Sequence, residues 1–195
     1  MTRHSQSLDA NYFESMFQGD EDPWSLESSA YEAAKFDQSV KALGGRHYDH
    51  AFEVGCAGGS LTRRLASSTG DLLAVDISET ALARARKRCA DLPQVRFEQM
   101  AFPRETPPDQ RFDFIVMSEV AYYWDDADLA RSAEAVRRSL DGGGDLLLVH
   151  FTGETDYPQS GDEAVDKLWS ALGEEFDVVL AETHDRYRLD LWRRR

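Results

Sequence analysis

Cysteine, basic charge and long apolar runs are all scarce in this chain of 195 residues. Its two cysteines, Cys56 and Cys89, cannot build the disulfide framework of a small secreted domain. They form no CxxC pair and the five histidines are scattered, so no metal is expected. Cys56 lies inside a glycine-rich stretch, which speaks against a catalytic thiol there. No run approaches the roughly 20 apolar residues that a membrane span needs. The segment Met1 to Ala10 is polar and lacks the apolar core of a signal peptide. The expectation is a cytoplasmic protein with no membrane partner.

Basic residues number 22 against 36 acidic ones, for a net charge of −14. Nucleic-acid binding leaves a basic footprint, because phosphate neutralisation dominates affinity. The dense basic clusters here are Arg84-Ala85-Arg86-Lys87-Arg88 and the terminal Arg193-Arg194-Arg195. The first reads as a solvated helix face and the second as a frayed tail. The expected partner is a small molecule, with no nucleic acid, for a chain acting as monomer or homodimer.

What is present is enough apolar material, 42% of residues, for one substantial core. After residue 50, short apolar runs alternate with longer amphipathic stretches, the signature of βαβ units and a parallel sheet. Strands are expected at 51–54, 72–75, 94–98, 112–117 and 145–150. Helices are expected at 60–68, from a Ser78 cap to about Cys89, and at 129–140, with Gly142-Gly143-Gly144 as a turn. A helix at 163–172 then precedes two strands, 176–181 and 186–192. The link between those strands, Glu182 to Asp185, is too short for a parallel crossover, so they form an antiparallel hairpin. The fold class is α/β: a Rossmann-like, seven-stranded mixed sheet with helices on both faces and an antiparallel C-terminal hairpin. Residues 1–45 read as a helical arm or lid and residues 46–195 as the ligand-binding domain. The arm is rich in aromatics, and a helix capped by Ser28 or Ser29 runs to about Leu43. Trp24 and Tyr31 are candidates to cap a cofactor. Lys35, on the Tyr31 face one turn on, reads as a surface lysine or as the partner of a carboxylate.

The motif that carries chemistry is Glu53-Val54-Gly55-Cys56-Ala57-Gly58-Gly59, directly after a strand and opening a helix. Glycines there let a ligand approach backbone and permit positive φ. Asp76 closes the next strand about 20 residues on, where a carboxylate accepts ribose hydroxyl protons. A dinucleotide site would use G-x-G-x-x-G to hold pyrophosphate on a helix N-terminus. Here the glycines fall at 55, 58 and 59, with Glu53 just before them. An acidic loop suits S-adenosylmethionine (SAM), which has a sulfonium and no phosphate, better than it suits NAD.

Glu53 to Gly59 resembles the first motif of class I SAM-dependent methyltransferases, E/D-x-G-x-G-x-G, with Ala57 at the middle glycine. More narrowly, the chain resembles the nodulation-protein-S (NodS-like) N-methyltransferases over most of its length. The segments that carry this are Tyr12-Phe13-Glu14, Asp22-Pro23-Trp24, Ser29 to Phe36, Phe112 to Tyr123 with its Ser118-Glu119-Val120-Ala121-Tyr122-Tyr123 run, and Tyr187 to Trp192. The resemblance implies a SAM cofactor, S-adenosylhomocysteine (SAH) as product, and a sugar-derived amine as acceptor. It also implies that Glu53, Gly55, Cys56, Ala57 and Gly59 line the methionine end of SAM, with Ser118 beside the methionine part and the methyl. Asp76 and Ile77 would hold ribose and adenine. Many class I enzymes place an acid after the third strand for the adenine amino group. This chain has Gln99-Met100-Ala101-Phe102 there, so Met100 and Ala101 are the candidates for that contact.

Methyl transfer from a sulfonium is an in-line displacement that needs orientation, close approach and exclusion of water. An amine acceptor must also be neutral to attack. Glu119, after the fourth strand, is the first candidate to hold or deprotonate an ammonium. Tyr122 can form an aromatic wall for a cation; Tyr123 reads rather as core. His150, ending the fifth strand, is a candidate base with a near-neutral unperturbed pKa, or else a structural histidine. The loop 152–162 is a candidate part of the acceptor pocket. Two other functions fit the same residues: an O-methyltransferase for a small metabolite, and a SAM-binding module without catalysis.

Overall fold

The first helix, α1 (Ala10–Gly19), starts where the Asp9 side chain accepts the Tyr12 N–H, an N-cap of the usual kind. It is absent from the sequence-based expectation. α2 (Ala30–Ala42) is capped by Ser29 as expected. β1 (Tyr48–Val54) leads through the glycine loop into α3 (Ser60–Leu65), and β2 (Thr69–Asp76) into α4 (Glu79–Arg88). β3 (Val95–Gln99) follows. The structure is a computed structural model and describes residues 3–195; Met1 and Thr2, the start of the polar leader, lie outside the described residues.

β4 (Phe112–Ser118) is followed by a single 3-10 turn, Ala121–Tyr123, and α5 (Asp126–Ser139). The Asp125 carboxylate accepts the Asp128 N–H and starts α5 three residues before the expected position. β5 (Leu140–Phe151), α6 (Gly161–Leu172), β6 (Phe176–Thr183) and β7 (Tyr187–Arg194) complete the chain. The sheet has seven strands in the order β3-β2-β1-β4-β5-β7-β6. β1, β2 and β3 pair in parallel, as do β4 and β5, while β7 runs antiparallel to both β5 and β6. The strand interiors Leu72 to Val75 and Leu146 to Val149 are buried as unbroken apolar runs, as strands covered on both sides require. No helix among the described residues is long and apolar enough to cross a membrane.

Three expectations are corrected. Gly142 to Gly144 is not a turn between elements but part of β5. Phe112 pairs with Leu140 while Phe114 pairs with Asp145, so the extra residues form a bulge. Gly143 takes φ +76°, and a Cβ on Gly144 would meet the Asp113 carbonyl oxygen at 3.0 Å, so the glycines are what let the bulge close. The terminal arginines are not frayed: Arg193 forks onto the buried Asp145 at 2.8 and 2.9 Å, and Arg195 bonds Asp177 at 2.8 Å. The Arg84–Arg88 cluster is not a merely solvated face either, as its contacts below show.

By internal contacts the chain divides into two units: Asp9–Ala101, with β1–β3 and α1–α4, and the residues up to Leu8 with Phe102–Arg195. In the second, the leader is laced down by Leu8 N–H to the Tyr123 carbonyl at 3.0 Å and by the Ser7 hydroxyl to Asp128 at 2.6 Å. In the first, α1 and α4 hold each other by opposite ends. Glu14 of α1 accepts from the Ser78 hydroxyl at 2.7 Å and the Thr80 hydroxyl at 2.5 Å, at the positive end of α4. Arg84 of α4 donates to the carbonyls of Phe17, Asp20 and Glu21, at the negative end of α1. The Ser78 and Thr80 hydroxyls pull the Glu14 carboxyl down from 4.5 to about 2.

A lowered carboxylate stabilises the folded state above its unfolded pKa, and that contribution is lost as pH falls through the folded value. Glu14→Gln is expected to lower stability by roughly 1 kcal/mol near neutral pH, as for a lost helix cap. The difference from the unaltered protein should shrink as pH falls from 4.5 towards about 2, read by urea titration across that range.

Candidate functional site

β1 ends at Val54 and the chain folds back on itself through Gly55 to Gly59. The N–H groups of Gly55 and Cys56 both donate to the Val75 carbonyl, at 2.8 and 2.9 Å, which stitches the loop to β2. Gly55, Ala57 and Gly59 all take left-handed backbone, with φ of 72°, 48° and 80°. Gly59 also has no room for a side chain: a Cβ would lie 3.1 Å from Ala85. Ala57 stands where the motif places its middle glycine, and the positive φ explains why glycine suits the position. Burial pushes the Cys56 thiol up, so it is a poor nucleophile.

Asp76 ends β2, 7% exposed. Its Oδ2 accepts the Ala57 N–H at 2.8 Å and its Oδ1 the Ser78 N–H at 2.9 Å. Burial pushes its carboxyl up to about 6, against the pull of the backbone N–H groups of Ser78, Ala57 and Ile77. Glu53 is 2% exposed. Burial pushes it up to about 7, with the Thr62 hydroxyl pulling down and the Asp76 charge pushing further up. Its Oε2 has no hydrogen-bond partner among the described residues. Two buried carboxylates at the ends of the strands beside the glycine loop fit a ligand that brings donors and positive charge, and repel a pyrophosphate.

The other residues expected at the cofactor, Ser118 apart, fall on the same unit. The Met100 N–H bonds the Asp76 carbonyl at 3.0 Å, placing Met100 and Ala101 beside the end of β2. Gln99 gives its side-chain amide to the Ile77 carbonyl at 3.1 Å. Trp24 is 37% exposed and edge-on to Phe17, 5.7 Å between centroids. Lys35 is not on the surface: it is buried, pairs with Glu32 at 2.8 Å and lies 5.5 Å from the Tyr31 ring centre. The pairing with a carboxylate is what permits that burial.

The unit built on β4 and β5 holds Ser118, expected at the cofactor, and the residues expected at the acceptor. Ser118 ends β4 with its hydroxyl oxygen buried and without a hydrogen bond among the described residues. Glu119 takes φ +59°, a left-handed conformation that costs an ordinary residue about 1–2 kcal/mol. Its Oε2 accepts the Tyr122 hydroxyl at 2.6 Å and the Phe151 N–H at 2.9 Å. Burial and the Glu119 charge push the Tyr122 phenol up, so it stays a donor. Tyr122 stacks on Tyr157 at 5.3 Å and 12°, and Tyr123 meets both rings edge-on at 4.6 Å. His150 is fully buried and its Nε2 accepts the Ala121 N–H at 3.1 Å. That lone pair is committed to the backbone, which leaves the neutral ring with its proton on Nδ1. The geometry gives His150 the work of holding the Ala121–Tyr123 turn rather than that of a base.

Several residues of this architecture escaped the sequence reading. Tyr157 was visible only as one member of a loop. Glu14, Glu27 and Arg88 act on α4 or on the glycine loop, and Asp22 on the turn before α2, from positions that no local periodicity marks. No group of three or more potential metal ligands occurs among the described residues.

Ala57→Gly should relieve a left-handed cost of about 1–2 kcal/mol against an added chain entropy of roughly 0.5–1. Stability in urea is expected to rise by up to about 1 kcal/mol. A fall would mean that the Ala57 methyl group makes packing contacts worth more than the strain.

Comparison with known proteins completes the description. The family model of nodulation protein S (NodS) matches residues 13–148. Nodulation protein S of Sinorhizobium fredii (strain NBRC 101917 / NGR234) is 35% identical over 114 residues, 58% of this chain and 52% of that protein. Nodulation protein S of Bradyrhizobium diazoefficiens is 35% identical over 163 residues, 82% of this chain and 73% of that protein. The chain thus spans about half the length of the first relative and nearly three-quarters of the second. Among solved structures, N-methyltransferase NodS from Bradyrhizobium japonicum WM9 in complex with SAH matches with a TM-score of 0.80 at 19% identity, covering 96% of this chain and 99% of that one. That likeness speaks for the fold, and the family match for kinship. The chain belongs to the nodulation protein S family.

Proposed function

We propose that the chain moves the methyl group of SAM to the nitrogen of a small amine, sugar-derived by kinship with NodS, in the cytoplasm. The observation that carries the cofactor assignment is the buried Glu53–Asp76 pair, with Oε2 of Glu53 left without a hydrogen bond. Glu53 and the loop Gly55, Cys56, Ala57 and Gly59 are assigned to the methionine end, whose ammonium supplies the missing donor. Asp76 and Ile77 are assigned to the ribose, and Met100 and Ala101 to adenine. Trp24, Tyr31 and Ser118 are assigned to cover and flank the cofactor.

SAM supplies, when bound, a methyl carbon activated by its positive sulfur. The protein's part is to bring a neutral amine in line with it and to take up the proton that the methylated nitrogen sheds. Glu119 is assigned to hold the amine and receive that proton, with its carboxylate oriented by the Tyr122 hydroxyl and the Phe151 N–H. Tyr122 and Tyr157 form an aromatic surface suited to a cation. His150 keeps the turn that carries Tyr122 in place.

Calorimetric titration with SAM, SAH and NAD, beside an Asp76→Ala variant, tests the cofactor. Saturable binding of SAM and SAH that the variant loses supports the reading; binding of NAD alone, or of nothing, overturns it. Turnover with labelled SAM against amino sugars and their hydroxyl analogues separates an amine acceptor from an oxygen one. Binding without turnover on any acceptor would leave a SAM-binding module.

Two further outcomes are expected. Glu53 and Asp76 are both raised, to about 7 and about 6, so their contribution to folded stability is full at low pH and is lost as pH rises through those values. A cationic ligand needs them charged. SAM affinity should therefore increase as pH rises through about 6 to 7, with proton release in that window, and Glu53→Gln should flatten the dependence. Calorimetry in buffers of different ionisation enthalpy reads the proton count. Glu119→Gln should lower kcat/KM for the acceptor by about 100-fold while SAH binding stays within about twofold. An equal loss in SAH binding would move Glu119 from the acceptor to the cofactor.

A further inference from the structure

The segment between α1 and α2 has an internal brace. The Asp22 carboxylate accepts the Glu27 N–H at 2.9 Å, the Ser28 N–H at 2.9 Å and the Ser28 hydroxyl at 2.8 Å. Inside the loop so closed, Trp24 and Ser25 are consecutive left-handed residues, with φ of 64° and 57°. Neither is glycine, and each costs about 1–2 kcal/mol in that conformation. Such strain persists only where surrounding bonds over-determine it. The outcome is a tight turn, Pro23–Ser25, that carries the exposed Trp24 indole.

The far end of this loop reaches the glycine loop. Glu27 forms an ion pair with Arg88, the last residue of α4. Arg88 Nε donates to the Gly58 carbonyl at 2.7 Å. Glu27 Oε1 lies 2.6 Å from the place a Cβ on Gly58 would occupy. The Arg88 carbonyl is in turn held by Arg63 at 2.9 Å, and Arg63 forks onto Asp91 at 2.6 and 2.9 Å. Exposed ion pairs add little to stability. This one sits on the Gly58 carbonyl, whose peptide is otherwise tied only within the loop, by the Gly59 N–H donating to the Cys56 carbonyl at 2.9 Å, and that placement points to a different use.

We infer that Glu27 and Arg88 are positioning residues for the cofactor. They clamp the Gly58 peptide so that Gly55 to Gly59 keeps its binding shape, and they fasten to it the Asp22-closed turn that carries Trp24. The inference rests on the reading of the glycine loop as the SAM site. A side chain at position 58, which the motif leaves open, would have to displace the Glu27 carboxylate.

The test is SAH titration and steady-state kinetics on the full chain with Arg88→Met and Glu27→Gln, singly and together. The expected result is a rise of about tenfold in the SAH Kd and the SAM KM, unchanged kcat at saturating substrates, and a double variant no worse than the singles. The ligand-free melting temperature should stay the same, so that the loss of SAH affinity is not a loss of fold. Gly58→Ala is the second arm: it should weaken SAH binding by pressing on Glu27, and Gly58→Ala with Glu27→Ala should recover part of the loss. Kd values within twofold of the unaltered protein in both single variants, or no recovery in the second arm, overturn the inference. An unaltered protein that itself fails to bind SAH overturns the cofactor reading instead, and the inference with it.

Discussion

The Asp76 carboxylate sits where the end of β2, the glycine loop and the start of α4 meet. One oxygen holds the Ala57 N–H and the other the Ser78 N–H. The first bond keeps a non-glycine residue in left-handed backbone. The second fixes Ser78, whose hydroxyl caps α4 by accepting the Ala81 N–H and also donates to Glu14 of α1. A single buried acid thus ties together the loop, the helix behind it and the arm in front of it. Its elevated pKa is the consequence, because a group surrounded this way has few water molecules to stabilise its charge. A cation or hydroxyl donor entering the site meets a carboxylate already oriented, so little rearrangement opposes binding.

The arginines explain how an acidic protein holds its own chain ends. Arg84 collects carbonyls at the end of α1, Arg88 takes Gly58, and Arg194 takes Arg137 and Leu140. Arg137 bonds the Ala171 carbonyl as well as Glu175. Guanidinium carries several fixed donors, which suits it to the orphan carbonyls at helix and strand ends. The two basic clusters of the sequence are therefore occupied by internal contacts, rather than arrayed as a surface for phosphates.

Left-handed backbone outside glycine occurs at five described residues, Asp109 in the loop before β4 among them. Trp24 and Ser25 form the turn before α2, Ala57 the cofactor loop, and Glu119 the step after β4. Each is held by a side chain or backbone bond from elsewhere: Asp22, Asp76, and the Val149 carbonyl that accepts the Glu119 N–H at 2.8 Å. The rest of the sheet and helices is built from regular conformations. Strain of this kind persists only where surrounding bonds over-determine it.

The sequence by itself determined the fold class, because strand and helix periodicities and the short link before β7 are local signals. It also determined the glycine loop and Asp76, since both stand at fixed offsets from a strand end. It could not determine that Gly142 to Gly144 is a bulge, because pairing with Phe112 and Phe114 is a partnership with a distant strand. Nor could it tell that Lys35 is buried, that His150 gives its lone pair to Ala121, or that Glu27 and Arg88 close on Gly58. These depend on which groups meet in space across 3 to 61 residues of chain. An isolated polar side chain reads alike in sequence whether it faces water or a buried partner; only the tertiary structure decides which, by removing the water and supplying the partner.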